Sequence, residues 1–161
     1  MTRSRPASSK PTAPASPIAG FVAQEIAVQA PDLVRKVILV GTGTRGADMS
    51  ASRSAEIFAA PYDPPEHLWL SVHFAPSPAS RKAGLAFLER KLRRRGREPE
   101  VSAQTVAAQL EAIGKYVTPA EHALDYLKDI RQPVLVVQGS NDAIIPTAHS
   151  YVLQQTCPMP S

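Results

Sequence analysis

Cysteine occurs once in the 161 residues, at Cys157. One thiol excludes an internal disulfide and a cysteine-built zinc site. No apolar run approaches the roughly 18 residues that a membrane-spanning helix needs. With no continuous apolar segment of a secretory signal either, the chain reads as soluble and cytoplasmic. Excess charge is also scarce. Lys and Arg number 18 against 14 Asp and Glu, a net +4, too small to indicate a nucleic-acid binder. Glycine is sparse beside proline, 8 against 16, so rigid turns and interrupted helices are expected. What is present in quantity is apolar sequence, 43% of the chain, enough for one domain's core.

That apolar sequence is unevenly spread. Residues 1–17 (MTRSRPASSKPTAPASP) carry four prolines, four serines and no acid, and Met1 is their only aliphatic side chain larger than alanine. Nothing there offsets the entropy of ordering, which predicts a disordered tail. From Ile18 the composition changes abruptly. Gly20 to Ala30 places Phe21, Val22 and Ile26 as a helix would, and Pro31 stops it. The run Val37 to Val40, ending at Gly41 and Gly43, suits a strand covered on both faces, as in a parallel sheet.

Between Thr44 and Arg131 the pattern is helical. Helices are predicted over 50–60, 65–74, 79–95, 102–114 and 119–127, with Ser77 and Ser102 as capping residues and Pro119 in a first turn. Leu85, Leu88 and Leu92 form one apolar stripe, and Val106, Leu110 and Ile113 another. A second buried-type strand, Val134 to Val137, leads into Gln138-Gly139-Ser140-Asn141-Asp142, and 146–155 reads as a last helix. The fold class expected is α/β, mostly helical, with two parallel strands. Two strands with apolar residues on both faces cannot easily bury themselves, so either the fold is incomplete or partner segments come from elsewhere.

Two segments carry a family pattern. GFVAQEIAVQAPDLVRKVILVGTG resembles the helix after the nucleophile elbow and the sixth strand of the α/β-hydrolase family. PVLVVQGSNDAIIPTAHSYVLQQ resembles its seventh strand, acid loop and following helix, and the helical stretch between lies where that family inserts a cap. The resemblance implies a partial α/β-hydrolase. Its core is residues 18–43 and 131–161, its cap is 44–130, and 1–17 is the tail.

The family's chemistry uses a serine nucleophile, a histidine base and an orienting acid, with backbone N–H groups for the oxyanion. Matching Gly20 to the last glycine of a G-x-S-x-G-G elbow puts Pro17 in the nucleophile's place and Ser16 one position early. A one-residue slip at so sharp a turn redirects the side chain, so Ser16 is a poor substitute. Asp142, closing G-x-x-D, matches the acid; a plain turn aspartate is the alternative. His67, His73, His122 and His149 all precede the place where the family's histidine follows an eighth strand, and are expected to be surface or packed residues.

The resemblance therefore implies hydrolysis of a small ester-like substrate by intact relatives, without cofactor or metal. For this chain, which lacks a matching serine and histidine, it implies little beyond background hydrolysis. The composition break at Ile18 and the ending TCPMPS lead to the expectation of a chain holding only part of the fold. The alternative is a noncatalytic helical module that pairs with a complementary chain or with itself. The run Lys91 to Arg97 could grip phosphates. Glu89, Glu98 and Glu100 dilute its field and no aromatics interleave for base stacking, so a solvated helix end is expected instead.

Overall fold

The computed structural model describes residues 12–15, 17–93 and 102–158. Three parallel strands form one sheet in the order β1-β2-β3, with β1 Thr12–Ala15, β2 Lys36–Val40 and β3 Val134–Val137. Val37 pairs with Val134 and Val40 with Val137, while Thr12 to Ala15 pair with Lys36 to Leu39. The ladder is extended at both ends by Val37 N–H to Pro133 O and Gly41 N–H to Val137 O.

β1 corrects the expectation of a disordered tail through residue 17. An edge strand is held by main-chain hydrogen bonds, which a tally of apolar side chains does not register, and Pro14 is tolerated on an edge. Helix α1, Pro17–Gln29, follows directly and also starts inside that predicted tail. Pro17 can open it because the first helical N–H has no intrahelical partner. A 3₁₀ turn at Pro31–Leu33 then leads into β2.

One face of the sheet carries the core. Val37 and Leu39 of β2, with the partly buried Val134 and Val136 of β3, pack with Ala23 and Ala27 of α1. Val34, Tyr126, Leu127, Ile130, Leu153 and Cys157 complete its buried members. Full burial of each large aliphatic contributes about 1.5–3 kcal/mol. On the other face Val40, Leu135 and Val137 remain exposed. The two apolar runs, read as covered on both sides, are thus covered on one among the described residues.

Helices α2 Ser54–Ala59, α3 Leu68–His73, α4 Pro78–Arg93 and α5 Ala103–Val117 occupy the stretch between β2 and β3. Ser77 Oγ accepts from Ser80 N–H, and Ser102 Oγ accepts from Thr105 N–H, as capping residues should. α3 and α4 meet where Gly84 lies against Leu70, so closely that a Cβ there would be 2.6 Å from Leu70 Cδ2. Of the leucine stripe on α4 only Leu88 is buried.

The helix predicted over 119–127 is not formed. The chain turns there, His122 adopts φ 59°, and a 3₁₀ helix spans Asp125–Asp129. Tyr126 and Leu127 are thereby turned into the core, a use of the segment that helical periodicity does not encode. Helix α6, Ala148–Thr156, follows the loop after β3.

Candidate active site

Parallel strands all point their carboxyl ends the same way, and ligands of such sheets bind there. β2 ends one residue before Gly41, which is in the left-handed region at φ 56°, and β3 ends one residue before Gln138. Asp142 lies across these two ends. A Cβ on Gly41 would sit 3.6 Å from Asp142 Oδ2.

The loop holds the Asp142 carboxylate on both oxygens. Oδ1 accepts from the backbone N–H groups of Ile144 and Ile145, at 2.9 and 3.0 Å. Oδ2 accepts from Gln138 Nε2 at 2.9 Å, and the same amide donates to Ile145 O at 3.0 Å. Two acceptors face this group, so chemistry fixes it as the nitrogen. Gln138 Oε1 is consequently buried with no partner among the described residues. Thr147 Oγ1 donates to Gly139 O and closes the loop. Sequence reasoning singled out Asp142 and passed over Gln138, whose only signal is its place immediately after a strand and four residues before the acid.

The loop after β2 is anchored from beneath. Gln24 of α1 is fully buried and its Nε2 donates to Gly20 O and Gly43 O, both at 3.0 Å. Tyr126 O–H donates to Gln24 Oε1 at 2.6 Å and accepts from Arg45 N–H at 3.1 Å. The Arg45 guanidinium lies 4.2 Å over the Tyr126 ring and pairs with Glu25. Tyr116 O–H lies 3.3 Å from that of Tyr126, and its ring stacks on Phe21. Burial pushes both phenols up, so they stay protonated and able to donate. Joining residues 102 positions apart, this network left no mark in local sequence pattern.

The four histidines are placed elsewhere. His149 Nε2 is 2.9 Å from Asp48 O, His73 stacks on Trp69, and His122 lies between Glu121 and Asp125. His67 ends a 3₁₀ turn ahead of α3. None is bonded to the Asp142 carboxylate, whose partners are an amide side chain and two backbone N–H groups. Ser16, and Arg94 to Arg97 of the basic run, lie outside the described residues. Among the described residues no group of three or more His, Cys, Asp or Glu is arranged to hold a metal ion. Nor is any of their helices long and apolar enough to cross a membrane.

Helix α1 rests on the β2 loop through a glycine. A Cβ on Gly20 would stand 2.3 Å from Thr42 Oγ1, inside any permitted contact. This residue was matched to the glycine that closes the elbow motif, and its close approach supplies a physical reason for glycine there.

No protein-family model and no curated relative matches the chain. Solved structures do. An α/β-hydrolase fold protein from Chitinophaga pinensis is 34% identical, with TM-score 0.71 over 88% of this chain and 51% of its own. Rv0554 from Mycobacterium tuberculosis is 20% identical, with TM-score 0.62 over 89% of this chain and 52% of its own. BpoC from Mycobacterium tuberculosis H37Rv, named for a non-heme bromoperoxidase, is 20% identical, with TM-score 0.63 over 89% and 53%. The strand order, the helix packed through Gly20 and the loop holding Asp142 agree with that likeness. The chain carries part of the α/β-hydrolase fold, and it spans about half the length of the solved structures it matches.

Proposed function

We propose that this chain supplies the acid loop and helical cap of an α/β-hydrolase that acts on a small ester-like substrate through a serine, an acid and a histidine. Asp142 takes the acid's part, residues 44–130 the cap's, and 18–43 with 131–161 the core's. The observation that carries this reading is the Asp142 carboxylate, fixed by three hydrogen bonds across the carboxyl ends of two parallel strands. Turn aspartates commonly accept backbone N–H groups alone. The added Gln138 bond and the position beside Gly41 favour an orienting role.

On the same reading residues 1–161 are by themselves a pseudoenzyme. Asp142 orients a histidine in the proposed mechanism, and among the described residues none of the four histidines is bonded to its carboxylate. The expected result with p-nitrophenyl acetate is hydrolysis at the buffer rate, with no labelling by a serine-reactive phosphonate. Stoichiometric labelling of Ser16 would overturn the inactivity. We place the protein in the cytoplasm, which fractionation of tagged cells checks.

A second reading is a noncatalytic module that pairs with a complementary chain. The exposed side chains of Val40, Leu135 and Val137 favour it, because parallel sheets are otherwise buried on both faces. Size exclusion with light scattering at low concentration tests it; a stable, clean monomer counts against pairing.

A further inference from the structure

Helix α4 ends in the basic run that starts at Lys91. In sequence that run is diluted by Glu89 and has no aromatic residue within it. The fold changes both conditions. Glu89 Oε1 accepts from Arg93 at 2.5 Å, so its charge is matched on the helix itself. Aromatic rings then arrive from α3 and from one turn back on α4. Lys91 Nζ lies 4.9 Å over the Trp69 ring, His73 stacks on Trp69, and Phe87 tilts against Phe74 with ring centroids 5.9 Å apart.

Phe87, Arg90 and Lys91 stand at i, i+3 and i+4 and so share one face of α4. That face is open. Trp69 is 37% and Phe87 41% exposed, and Arg90 and Lys91 are exposed beside them. What α4 buries is Gly84 and Leu88, the glycine against Leu70 and Phe74. Neither Arg90 nor Lys91 enters an ion pair among the described residues. From Pro65 to Arg93 five Lys and Arg stand against Glu66 and Glu89, so the net charge of this stretch is positive.

A cationic face with two half-exposed rings is matched by a partner that is anionic at its surface and apolar just beneath. A free anion meets only the first condition and an apolar ligand only the second. A bilayer with anionic headgroups meets both, and tryptophan favours that boundary. We propose that the Trp69, Phe87, Arg90 and Lys91 face of α3 and α4 rests on an anionic lipid surface. The rings enter the boundary between headgroups and acyl chains, and the two cations lie on lipid phosphates and carboxylates. Binding is peripheral, since no helix among the described residues is long and apolar enough to cross a membrane. A nucleic acid fits less well, because the Trp69 ring that would stack on a base is already met by Lys91 and His73. The inference does not rest on the hydrolase reading: it uses no residue of the Asp142 loop, and its test reads no hydrolysis.

Trp69 is the chain's one tryptophan, so intrinsic fluorescence reports this face directly. The full chain is titrated with vesicles of three parts phosphatidylcholine to one of phosphatidylserine, and with phosphatidylcholine alone. The expected result is a saturable blue shift with the anionic vesicles, at least about tenfold weaker with neutral ones. It should vanish in about 1 M salt, where the screening length falls to about 3 Å. Each cation near such a surface contributes about fivefold, so Arg90→Gln with Lys91→Gln should raise the titration midpoint at least about tenfold. Phe87→Ser should raise it at least about threefold. Lys115→Gln, which removes a charge from α5 instead, should change it less than about twofold. Should Phe87→Ser disturb the fold, the exposed Arg90 and Lys91 pair decides alone. No blue shift, equal binding to neutral vesicles, or an unchanged midpoint in the double variant overturns the proposal. So does an equal shift with a duplex oligonucleotide at matched phosphate concentration.

Discussion

The two faces of the sheet are made from the same kinds of residue and end in opposite environments. Along β2, Val37 and Leu39 are 1% and 0% exposed while Val40 is 41% exposed. Along β3, Leu135 and Val137 stand at 56% and 45%. Val, Ile and Leu supply both sides, so composition does not distinguish them. What differs is the neighbour: α1, the Asp125–Asp129 turn and α6 lie on one side, and no element among the described residues covers the other. An apolar run specifies a strand and announces two faces to be covered; it does not say what covers each.

The largest effect is expected on the covered face. Leu39→Ala opens a cavity in the core cluster that this fully buried residue shares with Ala27, Leu127 and Leu153, and should cost about 3 kcal/mol, read as a lower urea midpoint with the slope unchanged. A cost below about 1 kcal/mol would mean that the two faces are energetically alike, and would break the comparison.

The same contrast explains what could be read in advance. Val134–Val137 emerges as read because four consecutive aliphatics between Pro133 and Gln138 have few other uses. The place of Asp142 at the carboxyl end of β3 was legible through its spacing after that strand. β1 was not, because Thr12–Ala15 pairs through its backbone while its sequence resembles the proline-rich tail around it. The segment 119–127 was misread as a helix because its periodicity is helical, whereas Tyr126 is claimed by Gln24 and Arg45 from distant positions. The candidate site divides likewise: Asp142 lies in a local motif, and the Gln138 amide bonded to it has none.

Contact between α1 and the β2 loop is the next place to press. Gly20→Ala places a methyl within 2.3–2.7 Å of the buried Thr42 side chain. Alanine's helix propensity returns about 1 kcal/mol, and overpacking costs more, so a net loss of about 2 kcal/mol is expected in thermal or urea melts. Gly114→Ala is the matched control, with nothing within 4 Å of its Cβ, and should stabilise by about 0.5–1 kcal/mol. If both substitutions destabilise, propensity and packing have been apportioned wrongly.

Cys157 sharpens the covered side by pH. It belongs to the core cluster, and burial pushes its thiol up to about 11 from an ordinary 9.0. The folded state thus binds this proton more tightly than the unfolded chain. Its contribution is fully present below pH 9 and is lost as pH rises through 11. Burial of Tyr116 and Tyr126 adds alkaline dependence of the same sign, so the informative quantity is a difference. Between pH 8 and pH 10.5 the wild type should lose more stability than Cys157→Ala; parallel curves would show that the thiol is not sealed in the core.

The smallest effect should come from the exposed face. Leu135→Thr replaces a side chain that is 56% exposed, on a strand whose partner-facing hydrogen bonds to β2 are unchanged. Threonine retains strand propensity, so the monomer's stability should move by less than about 0.5 kcal/mol. Leu39→Ala and Leu135→Thr therefore ask one question of two faces. If Leu135→Thr costs nothing in dilute solution but lowers stability in step with protein concentration, the exposed face is covered by association, since only an associated state gains stability with concentration. If it costs as much as Leu39→Ala at every concentration, Leu135 is buried within the single chain and the sheet has two covered faces after all.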